Sequence, residues 1–144
     1  MTRILLCGAL LLALGCVAPA ERVPLRPLPE NGQVLPYAEL LTRIRAQASS
    51  AHEAFYLDHW SELEDMAKGL EQTSRFLAKA EEVPEKNRKL LKEVTDDLSK
   101  SAQKLRESAA AHNVKDTTDA LQKIITKVRD LRLTDTSADQ PKKE

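Results

Sequence analysis

Apolar residues recur every three or four positions along most of this chain. Tyr37, Leu40, Leu41, Ile44, Ala48, Ala51 and Phe55 form a first stripe. Trp60, Leu63, Ala67, Leu70, Ser74 and Leu77 form a second, and Leu91, Val94, Leu98, Ala102, Leu105 and Ala109 a third. Val114, Thr117, Leu121, Ile124, Val128 and Leu131 form the last. That spacing gathers each set on one face of an α-helix. The breaks have recognisable chemistry. Pro36 suits the first position of the first helix, and Val83-Pro84 ends the second and starts the third. Leu57-Asp58-His59 interrupts the pattern, with Asp58 expected to cap the second helix. His112-Asn113 interrupts it again, with Asn113 expected to take a left-handed turn. Short connections force neighbouring helices antiparallel. The expected fold is all-α, an up-down-up-down four-helix bundle over residues 36–132, with axes crossing at about 20°.

Composition narrows the function. The 144 residues carry 22 Lys and Arg against 22 Asp and Glu, a net charge of zero with the signs well mixed. No basic face is offered to nucleic acid. Gly is rare and aromatics are scarce. Ala, Leu, Lys, Glu, Arg and Gln dominate the middle of the chain, which favours helix.

The first residues read as a targeting segment. Arg3 gives a positive start, and Ile4 to Leu14 is an apolar run too short to span a bilayer comfortably. Ala13-Leu14-Gly15-Cys16 follows. It resembles a bacterial lipobox, with Ala13 and Leu14 in swapped order. The resemblance implies a signal peptide over 1–15 and a lipid on Cys16, with Val17 rather than Asp favouring the outer membrane. The competing readings are cleavage after Ala18-Pro19-Ala20, giving a soluble periplasmic or secreted protein, and an uncleaved anchor. Cys7 lies in the apolar run, so Cys16 would be the only Cys left and no disulfide framework exists. An acyl chain contributes roughly 0.8 kcal/mol per buried CH₂ to anchoring. Pro19, Pro24, Pro27, Pro29 and Gly32 make residues 16–35 an extended spacer. The polar tail over 133–144 has nothing to bury and is expected to be disordered.

The helix layout of residues 36–132, with its terminal Leu131-Arg132, resembles the cytochrome c-prime superfamily of exported four-helix bundles. That family's last helix carries a Cys-x-x-Cys-His haem motif just before an aromatic and Arg. Here the motif falls on Ile124, Lys127 and Val128. The family's axial Met would lie near Tyr37 or Leu40. A c-type haem needs two thiols and an imidazole, so the resemblance implies a haem-less bundle of this architecture.

The residues with most chemistry are His52, His59 and His112, which close the first helix, open the second and close the third. In the expected topology all three lie at one end, with Asp58, Glu62, Asp116 and Asp119. Such a group is a candidate zinc or copper site. The competing reading is helix capping and dipole pairing, and no two His have the i, i+4 spacing of a helical metal site. Trp60 is a core anchor or a partner-facing hot spot, and Met66 is packing. The charges from Glu81 to Glu93 around Pro84 form a solvated end or a docking edge. No catalytic motif or phosphate loop occurs. The expected function is a non-enzymatic, membrane-tethered interaction or accessory module of a bacterial envelope, working with an unknown envelope protein. The alternative is a metal- or haem-related binding protein.

Overall fold

The computed structural model describes Leu28 and residues 35–131. Expectations for the signal segment, Cys16, most of the spacer and the tail lie outside the described residues. The helices are α1 (Tyr37–Tyr56), α2 (Trp60–Leu77), α3 (Glu85–Ala110) and α4 (Val114–Asp130). Each packs on its chain neighbours, and α4 closes the ring on α1. The diagonal pairs make no close backbone approach, and the α1–α4 seam is the sparsest of the four. This is the all-α four-helix bundle that the four stripes imply.

The helix ends correct the sequence reading by a residue or so. Pro36 and Pro84 are extended (ψ 147° and 137°) and stand one place before α1 and α3. Each offers its carbonyl to two amides of the first turn, Glu39 and Leu40 in one case, Asn87 and Arg88 in the other. The two turns at the opposite end share one design. Asp58 and His112 adopt left-handed φ values of 55° and 50°. His59 N–H bonds Ala54 O and Asn113 N–H bonds Ser108 O, both at 2.9 Å, as in a Schellman closure. Asp58 is therefore not the cap of α2. His59 holds that place and makes no side-chain cap bond. Asn113 does not take the left-handed turn; its side chain caps α4 by accepting from Asp116 N–H at 3.1 Å. A three-residue link leaves no choice. The middle residue must reverse the chain, and the third must open the next helix.

The four stripes meet in one core that includes Leu40, Leu41, Ile44, Leu63, Leu70, Leu98, Leu105 and Ile124, each 1% exposed or less. Several buried positions are polar. Ser74, Thr95 and Ser108 turn their hydroxyls back onto carbonyls of their own helices at 2.8–3.1 Å, so burial leaves those hydroxyls satisfied. Thr117 on α4 donates to Ser108 on α3 at 3.0 Å. Val114, expected in the stripe, is instead exposed. It is the first residue of α4, where the helix has only begun to turn inward.

Helix α4, at 17 residues, is shorter than α3 at 26. At its end Arg45 Nη2 donates to Leu131 O at 2.9 Å, completing a terminal carbonyl. Near the start of α1, Tyr37 is buried, and Asn87 Nδ2 of α3 donates to its hydroxyl at 2.9 Å.

On the surface, Lys127 Nζ and Asp97 Oδ2 join α4 to α3 at 2.6 Å. The hydrogen bond from Lys127 holds the Asp97 carboxyl below its ordinary value of 3.8. A lowered carboxyl favours the folded state above about pH 4, and that contribution fades as acid protonates it. Asp97→Asn is expected to lower the melting temperature slightly at pH 6 and to flatten the decline between about pH 4 and 2. Melting curves across pH at low salt check this; parallel curves for the two proteins would rule it out.

Candidate functional site: an aromatic end and an apolar groove

The end that carries the two left-handed turns concentrates the rings of the molecule. His52 meets Tyr56 edge-on at 4.7 Å, and Phe55 lies edge-on to Tyr56 and to Trp60 at 6.2 and 5.8 Å. Trp60 stacks on His112 at 4.9 Å with planes 13° apart. The contacts form a chain from the α1–α2 turn to the α3–α4 turn. Trp60 is half-buried against the core, so it is a bridge between the two turns rather than an interior anchor. Stacked and edge-on ring pairs each contribute about 0.5–1.5 kcal/mol beyond the area they bury.

His52, His59 and His112 do lie at this end, as the topology requires, but each has its own neighbour. His52 leans on Tyr56, His112 turns a ring face to Trp60, and His59 Nδ1 pairs with Glu62 at 3.3 Å. Asp116 is engaged by the Asn113 cap and by Lys104 at 3.6 Å. Among the described residues no three His, Cys, Asp or Glu side chains gather to hold a metal ion.

The positions that the haem motif would occupy are used differently. Ile124 and Val128 are buried in the core, and Lys127 is the partner of Asp97. Tyr37 and Leu40 are buried too. The charged residues around Pro84, from Glu81 to Glu93, are exposed.

Beside the aromatic end runs a groove of about 390 Å³ between α1 and α4. His52, Phe55 and Tyr56 form one wall, and Thr118, Leu121 and Ile125 the other, with Arg129 at the far end. It follows the sparsest seam of the ring. Tyr56 is 73% exposed, Leu57 55%, Val114 58% and Ile125 43%. Val114, Thr118, Leu121 and Ile125 share one side of α4, because their spacings of four, three and four follow the helical repeat. Leu90 is the other large apolar side chain exposed among the described residues.

The sequence does contain a trace of this second stripe. Phe55-Tyr56-Leu57 and Ile124-Ile125 each hold more apolar residues than one face can take. A period search assigns Phe55 and Ile124 to the core and leaves their neighbours without a role.

No helix among the described residues is long and apolar enough to cross a membrane. A scan of protein-family models, a search of curated proteins and a search of solved structures each found no match to this chain.

Proposed function

We propose that this protein is a non-enzymatic interaction module, tethered to a bacterial envelope membrane by a lipid on Cys16, which docks an amphipathic helix of a partner in the α1–α4 groove. The observation that carries the reading is the exposure of Tyr56 and Ile125 on the two walls of that groove, with exposed Val114 on the same side of α4. An exposed apolar strip on an otherwise charged surface is a marker of association. A groove between two antiparallel helices suits a third helix laid along it. Arg129 at the end of the groove favours a partner with an acidic residue at that end of its apolar face.

Two measurements test this. Fatty-acid labelling of the wild type should place lipid on the protein, and Cys16→Ser should abolish it and move the protein to the soluble envelope fraction. A photoreactive residue at Thr118 should then give an adduct with an envelope protein. Val114→Asp with Ile125→Asp should remove that adduct while shifting the melting temperature by no more than about 8 °C, as expected for two exposed positions. Unlabelled protein would sink the tether. An adduct indifferent to the paired Asp substitutions would sink the groove. An adduct between two copies would make this face a homodimer surface instead.

A further inference from the structure

The α1–α4 groove is one-sided in its charge. Among the described residues its lining holds three ionisable side chains, His52 and Tyr56 on α1 and Arg129 on α4, and no carboxylate. Cations elsewhere on the bundle are paired. Lys68 meets Glu64 and Asp65, Lys127 meets Asp97, and Arg106 meets Glu71. The Arg129 guanidinium makes no ion pair or hydrogen bond among the described residues.

His52 is in the same position. Its ring is exposed, touches Tyr56 edge-on at 4.7 Å, and makes no hydrogen bond or ion pair among the described residues. His59, by contrast, already has Glu62. The other charges nearby belong to other surfaces. Glu53 lies about 100° round α1 from His52 and does not line the groove. Asp65 and Lys68 of α2 line a separate groove between α1 and α2. Asp119, Lys123 and Lys127 of α4 line a different depression.

We infer that the partner helix carries a second carboxylate, set against His52, and that the groove holds this partner more tightly in mild acid. The inference rests on the docking reading above and specifies the partner's chemistry. Imidazole is the one side chain whose charge ordinarily changes between about pH 5 and 8. A proton on His52 puts a second cation on the groove wall, toward the aromatic end, while Arg129 marks the far end. The ring nitrogens have no partner to give up, so nothing is lost when they turn to a docked carboxylate. Carboxylates on the partner keep their charge down to about pH 4. Between these limits both signs are present, and attraction adds to the burial of the apolar face. In stronger acid the partner is neutralised and the gain disappears. A neutral partner would be indifferent to the proton, and a basic one would be repelled by it.

The test uses the full chain with the photoreactive residue at Thr118, in envelope membranes at low salt. Adduct yield should rise about threefold from pH 8 to 5.5, the size expected of one partly exposed charge pair. Added salt should shrink the rise. His52→Gln should hold the yield flat. His52→Arg, charged throughout, should give at pH 8 the yield that the wild type reaches at pH 5.5. His52 is exposed, so both variants should melt with the wild type. A wild-type yield that is flat or falls in acid would overturn the inference, as would a rise that survives in His52→Gln or no gain in His52→Arg. Docking itself would still stand in those cases if Val114→Asp with Ile125→Asp removed the adduct. No adduct at any pH, adducts indifferent to the paired Asp substitutions, or adducts only between two copies would overturn the docking reading and this inference with it.

Discussion

Leu98→Ala is expected to cost about 3 kcal/mol of stability, within the range for a buried Leu reduced to Ala. Leu98 is 1% exposed near the middle of α3, the helix that packs on both α2 and α4. Two effects oppose each other. Alanine is the better helix former, but only by a few tenths of a kcal/mol. The lost transfer energy and the cavity left between rigid neighbours are several times larger, so packing decides the sign. For a domain of this size the midpoint should fall by roughly 12–24 °C, read by thermal circular dichroism. Leu90→Ala, 48% exposed on the same helix, is the control and should change little. A drop at Leu98 no larger than at Leu90 would mean that the core is not where we place it.

Tyr37→Phe should produce the second largest change, about 1 kcal/mol, the net worth of one buried hydrogen bond. The hydroxyl it removes accepts from Asn87 Nδ2 and so joins the start of α1 to α3. The same residue sets a pH dependence. Burial raises the Tyr37 phenol above its ordinary 10.0, against smaller opposing effects of the Asn87 hydrogen bond and the Arg45 charge. A raised folded value means that the folded state holds the proton more tightly than the unfolded chain. The associated stability is complete below about pH 10 and is lost as pH rises through the raised value. Wild type should therefore lose more stability than Tyr37→Phe as pH goes from 9 to 11. Urea unfolding at the two pH values measures the difference. Equal losses would show that the phenol ionises as readily in the fold as out of it.

How much of this was legible beforehand varied with the kind of feature. Helix number, order and most of each core stripe followed from spacing, because burial of one face is what a 3.6-residue repeat reports. The polar members of the core were not legible. Asn87, Thr95 and Ser108 are buried, yet their identity as buried depends on a partner distant in sequence or on a hydroxyl turning back to its own helix. Asp58 and Asn113 were read one role away from their true one. Propensity favours Asn for a left-handed turn and Asp for a cap, but a three-residue link fixes roles by position, and Asp58 and His112 accept the strained φ. The end-to-end gathering of His52, His59 and His112 was legible from topology. Their separate engagements were not, because Trp60 and Tyr56 compete for the rings. The α1–α4 groove lay hidden in apolar doublets, and the two hydrogen bonds between the Gln72 side-chain amide and the backbone of Leu28 had no sequence signal, since a glutamine in a helix is ordinarily solvated.

The paired three-residue turns bear on how the chain finds this structure. They make α1–α2 and α3–α4 two helical hairpins whose contacts span few residues, and α2–α3 joins them across another short link. Only the sparse α1–α4 seam closes a long loop. Loop-closure entropy is thus incurred mainly once, at the end, and for the smallest return in contacts. Chains with this arrangement fold in microseconds to milliseconds. In the folded ensemble the seam that closes last is the one whose opening sacrifices least, and the apolar groove lies along it.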